Sequence, residues 1–218
     1  MPDTPGDAHQ SLRDLVYLRL RERIIEGEYP AGRRLVEREL ADTMDVSRVP
    51  VREAMQRLET EGFLTVQARK GAVVAEFGPA EAEHFFAVRE PLEALAASLA
   101  AQHATPAGLK NLERILARTR RAAEAGRLRE TVGLNADFHR AIVELSGNPL
   151  LQDMMAPLDG RLRRLFRLTT GPESGTPMCT EHEQLLAAIR ARDPRTAADL
   201  ARRHVAGTRA YALTVLQH

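Results

Sequence analysis

The stretch Val46-Ser47-Arg48-Val49-Pro50-Val51-Arg52-Glu53-Ala54 constrains this chain most. One helical pattern, Glu37–Met44, runs into it, and a second, Val51–Glu61, runs out. The Ser47 hydroxyl can cap the second helix by accepting from a free first-turn N–H. Pro50 suits a first-turn position, where no intrahelical donor is missed. The stretch therefore reads as helix, tight turn, helix. Arg48 and Arg52 lie at the leading end of the second helix and, four residues apart, share one face. That end is the part a DNA-reading helix pushes into the major groove. Either guanidinium could pair bidentately with guanine O6 and N7. Ser47 and the turn amides suit phosphate oxygens.

The flanking residues complete a small domain. Leu12, Leu15, Val16, Leu18, Leu20, Ile24 and Ile25 recur at helical spacing, and Gly27 ends that helix. Tyr29-Pro30-Ala31-Gly32 is a turn. Gly62 is a left-handed helix stop. Leu64–Ala68 then alternates apolar and polar residues as a strand does. Arg69-Lys70-Gly71 is a basic turn, and Ala72–Ala75 a second short strand. Three helices and a hairpin predict a winged helix-turn-helix over residues 11–78. Residues 1–10 are Pro, Gly, Asp and Thr with little apolar content, which predicts a disordered tail. Acidic and basic side chains are equal in number between residues 11 and 78. Any DNA contact must therefore be a local patch and not a domain-wide field.

Gly78-Pro79 marks a boundary. From residue 79 to 218 no convincing strand occurs. Helical patterns run at about 81–103, 106–126, 128–146, 149–170, 181–192 and 194–217. Thr105-Pro106, Gly126, Gly147-Asn148-Pro149, Gly171–Pro177 and Asp193-Pro194 separate them. Such residues start or stop helices. The fold class is thus mainly α: a winged helix-turn-helix followed by an all-helical bundle of about six helices. The chain is 4% aromatic with no Trp, so its cores must be built from Leu, Ile, Val, Ala and Met. Cys179, the single cysteine, falls in the predicted 172–180 loop. One thiol allows no internal disulfide and suits a reducing compartment. No secretory leader pattern and no apolar run near the ~18 residues of a membrane span occur. The expected location is the cytoplasm.

Three histidines of the second region share a property. His139 lies at helical spacing with Val132, Ile142 and Val143; His182 with Leu185, Leu186 and Ile189; His204 with Ala197, Leu200 and Ala201. Each is on the apolar stripe of its own helix, and a buried polar group needs a partner. They are either separate core histidines, each satisfied by a neighbour, or three imidazoles sharing a divalent metal such as zinc, nickel or iron. Arg89 shares a stripe with Phe85, Leu92 and Ala96. An inward guanidinium suits a carboxylate ligand; the alternative is an ion pair with Glu93 one turn on.

Two sets of motifs carry a resemblance. Ile25-Glu26-Gly27, Pro30–Leu35, Glu39-Leu40-Ala41, Val46–Ala54, Arg57-Leu58-Glu59, Gly62-Phe63-Leu64 and Lys70-Gly71 resemble the GntR family of bacterial transcriptional regulators. The resemblance places DNA contacts on Arg38, Ser47, Arg48, Arg52 and the wing tip at Lys70 and Gly71. Leu134–His139, Gly147–Leu150, Glu181-His182-Glu183, Ala187–Ile189 and Ala197-Ala198 with His204 look like the FCD-type effector-binding and dimerisation domain. That domain belongs to the fatty-acid-responsive branch of the family. In its metal-binding members an Asp one turn before the first His joins three His. Here Asn135 occupies that place, and Asp137 points to another face. The implied site is Asn135, His139, His182 and His204, holding zinc or nickel. The implied effector is a small organic acid near the metal; Arg89, by its inward stripe, is the candidate to meet it, with the Glu93 pair as the alternative.

A homodimer acting as a metabolite-responsive repressor on operator DNA, with no membrane and no catalysis, is the function this implies. Two others fit some features. A helical three-His metallohydrolase would need a general base, and Glu181 and Glu183 flank His182; no HExxH, nucleophile motif or Gly-rich phosphate loop accompanies them. An architectural DNA binder would leave the histidines unexplained.

Overall fold

The computed structural model describes residues 11–68, 71–170 and 175–217. The predicted tail (1–10) and the wing residues Arg69 and Lys70 lie outside the described residues. The chain forms two compact units, the first ending at Glu76 and the second beginning at Phe77.

In the first unit α1 (Leu12–Ile25), α2 (Glu37–Met44) and α3 (Arg48–Thr60) precede a hairpin of β1 (Leu64–Gln67) and β2 (Gly71–Val74). Ser11 caps α1, its hydroxyl accepting from the Asp14 N–H at 3.3 Å. The 3.6-residue apolar spacing of α1 buries Val16, Leu20, Ile24 and Ile25. They meet Val51, Ala54, Met55 and Leu58 of α3 and Phe63 beyond it in one core. Burying that side of α3 turns its arginines outward. The strands pair antiparallel with Leu64 opposite Val74. The chain before α2 joins them: Leu35 N–H donates to the Ala72 carbonyl and Val74 N–H to the Arg33 carbonyl, both at 2.9 Å. Gly71 opens β2 at φ 75°, a left-handed conformation that glycine adopts without steric cost.

The second unit is a bundle of α4 (Pro79–His103), α5 (Pro106–Glu124), α6 (Leu128–Leu145), α7 (Pro149–Thr169), α8 (Gly175–Arg190) and α9 (Pro194–Leu216). Three of its helices begin the same way. Thr105, Asn148 and Asp193 each accept a first-turn N–H through the side chain, and each is followed by Pro at the first helical position. The cap satisfies one orphan donor and the Pro presents none. α4 lies along α9. Ala94, Ala96, Ala97, Ala100 and Ala101 of α4 and Ala197, Ala201 and Ala212 of α9 are all buried. Small residues on both helices let the backbones approach, which brings the polar residues of the two helices within reach of one another.

Two expectations need correction. α8 begins at Gly175, several residues before the predicted start, so Cys179 is a buried helical residue and not part of a loop. The Gly and Pro residues there read as a loop, yet Pro177 falls in the first turn of the helix, where Pro is tolerated. Ser47 is the N-cap residue of α3, but its hydroxyl makes no capping bond.

Candidate functional site: a DNA-reading helix and a three-histidine centre

In the first unit the leading end of α3 is open to solvent. The Arg48 and Arg52 side chains are 60% and 52% exposed. Arg38, Ser47 and Gly71 are exposed as well. The turn between α2 and α3 depends on Asp45, held at φ 54° and ψ 49°. Asp is among the few non-glycine residues that accept this left-handed conformation. Sequence reasoning missed two residues here. Val49 is 60% exposed in the first turn of α3 and offers an apolar surface of the kind that meets a thymine methyl. Glu37, at the start of α2, accepts from Arg52 Nε at 3.1 Å and from Arg48 Nη2 at 3.3 Å. The Arg52 hydrogen bond, with help from Arg48, holds the Glu37 carboxyl below the usual carboxylate range. Glu37 in turn raises the Arg52 pKa. One carboxylate thus ties Arg48 and Arg52 together.

In the second unit three helices bring the predicted histidines to one place. His139 from α6, His182 from α8 and His204 from α9 are all buried. One ring nitrogen from each lies within 4.8 Å of the others. His182 Nε2 and His204 Nε2 are 3.4 Å apart. Two nitrogens each about 2.05 Å from a tetrahedral zinc stand roughly 3.3 Å apart, so this pair is spaced as zinc ligands are. His182 stacks on Phe138 with ring centroids 4.3 Å apart, which fixes its plane.

Carboxylates orient two of the three rings. Glu93 of α4, itself buried, accepts from His139 Nδ1 at 2.8 Å. Glu181 accepts from His204 Nδ1 at 2.6 Å. A carboxylate accepting from Nδ1 leaves Nε2 as the nitrogen with the lone pair, the form a metal takes. Burial pushes the His139 pKa down to about 4, with Glu93 opposing and Arg89 assisting. Burial, with the neighbouring His204 and His139, also holds His182 well below the ordinary imidazole value. Both rings are therefore neutral near pH 7, the form that ligates. Burial works against the Glu93 anion, but Arg89 and His139 outweigh it and its pKa falls below the usual carboxylate range.

Asn135 lies one turn before His139 and is buried with its side-chain oxygen unpartnered. His182 Nδ1 is likewise buried and unpartnered. An orphaned buried acceptor is costly in an apolar core, and a cation beside Asn135 would satisfy it. The donor set is chemically suited to a divalent transition metal. Asp137 pairs with Arg140, so it does not substitute for the missing Asp.

Arg89 is 1% exposed, and of the two partners weighed for it the structure shows the Glu93 ion pair. Its Nε pairs with Glu93 at 2.5 Å, and its Nη2 reaches His139 Nε2 at 3.3 Å. Its Nη1 is buried without a partner. Arg89, Glu93 and His139 together line a cavity of about 170 Å³ between α4, α6 and α7. Its other walls are largely apolar, including Phe85, Val143 and Leu162. The pairing of Glu93 with His139 and of Glu181 with His204 escaped sequence reasoning, although Glu181 was weighed as a general base. Glu93 was weighed only as a partner of Arg89, and no one-helix pattern reveals a carboxylate whose His partner is on another helix.

Fold and reading helix together define a winged-helix DNA-binding protein carrying a helical, three-histidine domain. Residues 12–74 match the bacterial regulatory proteins, gntR family, and residues 84–207 match the FCD domain. The chain therefore belongs to the GntR family of transcriptional regulators, with an FCD domain. It is 30% identical to the HTH-type transcriptional regulator McbR of Escherichia coli, covering 88% of this chain and 89% of that protein. It is 29% identical to the uncharacterized HTH-type transcriptional regulator YdhC of Bacillus subtilis, covering 83% and 82%. The solved structure of E. coli McbR/YncC superposes with a TM-score of 0.82 at 26% identity, over 94% of this chain and 98% of that one. DNA-binding regulation is thus the activity of this family, and the helical architecture is shared. No helix among the described residues is long and apolar enough to cross a membrane.

Proposed function

We propose that this chain is a metal-loaded, acid-responsive repressor of the fatty-acid-responsive branch of the family. It works as a cytoplasmic homodimer and not as an enzyme. Residues 11–78 read DNA and residues 79–218 bind effector and dimerise. Two winged helices sit on the half-sites of a pseudopalindromic operator. Arg48 and Arg52 read base edges. Arg38, Ser47, Lys70 and Gly71 contact the backbone or the adjacent groove. His139, His182 and His204, with Asn135, hold zinc or nickel. With Asn in place of Asp all four ligands are neutral, which favours nitrogen-preferring transition metals over hard cations. The metal supplies a Lewis-acidic anchor for one oxygen of the effector.

The observation that carries this reading is the junction of two features in one domain. A buried three-His cluster adjoins an apolar cavity, and that cavity also holds a buried arginine with an unpartnered N–H. A carboxylate with an apolar body matches both: its charge meets Arg89 and its body fills the space beside Phe85, Val143 and Leu162. Such a ligand shifts DNA binding only through its differential affinity for the DNA-competent and incompetent states. The test pairs two measurements on the full chain. Metal analysis of protein purified without chelator should find close to one zinc or nickel per chain, and His182→Ala should abolish it. A thermal-shift screen of organic acids should stabilise the metal-loaded wild type and not Arg89→Ala. Absence of metal, with no stabilisation by added zinc or nickel, overturns the metal part. Equal acid responses in wild type and Arg89→Ala overturn the effector part.

A further inference from the structure

We propose that Arg89 and Glu93 gate the metal centre: Glu93 holds the His139 lone pair inward, and Arg89 occupies that lone pair until a metal takes it. The inference rests on the reading that the three histidines hold a metal.

The protonation pattern follows from donor and acceptor inventories alone. A guanidinium carries only donors. Arg89 Nη2 lies 3.3 Å from His139 Nε2, so this nitrogen must accept and carries no proton. A neutral ring has one N–H, which is therefore on Nδ1 and donates to Glu93 Oε2 at 2.8 Å. Arg89 closes the triangle by donating from Nε to Glu93 Oε1 at 2.5 Å. Glu93 is thus a positioning residue that touches no metal; it fixes which nitrogen of His139 offers the lone pair. Glu181 does the same for His204, whose Nε2 faces His182.

One orbital cannot serve two partners. The His139 lone pair that would bind a metal is the one that accepts from Arg89. Metal entry must displace Arg89 Nη2 from it. Arg89 then keeps its Nε bond to Glu93 but has both terminal nitrogens without protein acceptors, since Nη1 has none already. Arg89 is one of the residues lining the cavity, and two terminal nitrogens without protein acceptors make the fork that pairs with a carboxylate. The metal therefore creates the acid site by releasing the arginine, and the two ligands are positively coupled. The coupling is reciprocal, so each raises the affinity of the other by the same factor.

The test measures zinc affinity by competition with a colorimetric chelator, on full-length wild type, Arg89→Gln and Glu93→Gln. Removing the competing guanidinium should tighten zinc binding of Arg89→Gln about tenfold or more. Freeing His139 from its carboxylate should weaken Glu93→Gln by about 10- to 100-fold. A merely structural lesion would not tighten metal binding, so the opposite signs separate the gate from damage. If either variant fails to fold by circular dichroism, ¹⁵N imidazole spectra of metal-free wild type decide the matter. The Nδ1–H tautomer at His139, with Arg89 side-chain resonances that shift on adding zinc, supports the gate. The Nε2–H tautomer, or Arg89 resonances indifferent to zinc, overturns it. Zinc bound by wild type and equally or less tightly by Arg89→Gln overturns the gate and leaves the metal reading standing. No zinc bound by wild type overturns both.

Discussion

Glu37 pairs with both exposed arginines at the leading end of α3. Its carboxylate holds both Arg48 and Arg52, so on the proposed reading each exchanges that partner for a base edge or phosphate. Replacing either arginine by Ala should cost about 1–3 kcal/mol in binding to a selected operator and relax preference at one base position. Binding selection from a random duplex pool, followed by titration of wild type and variant, measures both effects. Glu37→Gln should behave oppositely on non-specific DNA. It frees cationic charge, so affinity for random-sequence duplex should rise and the slope of log K against log salt should steepen by about one. An unchanged slope would show that Glu37 leaves DNA on contact. The arginines were legible in the sequence because a spacing of four residues on one helix defines a shared face. Glu37 was not, because its pairing crosses the turn from α2 to α3 and depends on how those helices dock. Glu93 with His139 and Glu181 with His204 were hidden for the same reason.

At the scale of elements, helix starts were the most legible feature. Thr105-Pro106, Asn148-Pro149 and Asp193-Pro194 each supply a cap and a donor-free first residue, and α5, α7 and α9 start there. The start of α8 was not legible, since Gly and Pro residues near 175 are equally at home in a loop or a first turn. The short segment that hydrogen-bonds β2 through Arg33 and Leu35 was also missed; it is too brief to show alternation. The α4–α9 seam was hidden in another way. Alanines score as helix formers wherever they occur, and only packing reveals which of them set the distance between two helices. Ala201 is 1% exposed and sits in the main core of the bundle. Ala201→Leu adds bulk where no space exists, and overpacking of this kind costs about 1–3 kcal/mol. The midpoint of guanidinium unfolding should fall accordingly, with zinc affinity reduced as His204, one turn on, is displaced. An unchanged midpoint would mean that the seam yields without cost.

For the whole molecule the histidine centre links folding to proton concentration and, on the proposed reading, to metal concentration. In the metal-free protein burial depresses the His139 pKa to about 4 from an ordinary 6.5. A group with a depressed folded pKa binds protons more readily when unfolded. Its contribution is therefore present above about pH 6.5 and is lost as pH falls toward 4. His139 alone should remove about 2 kcal/mol of stability between pH 7 and pH 5. His182 is depressed too and adds in the same direction. Glu93, also lowered, joins them only below its ordinary value of 4.5. On the same reading a bound metal would sharpen this dependence, because protons compete for the same ring nitrogens. At pH 7.5 zinc should raise the unfolding temperature of chelator-treated protein; near pH 5 the same addition should do much less. The decisive comparison is chemical denaturation of the metal-free protein at pH 7 and pH 5, beside His139→Gln. That variant removes the titrating ring, so it should lose less stability than wild type over the interval. Equal losses in the two proteins would show that the buried imidazole does not set the acid limit of the fold.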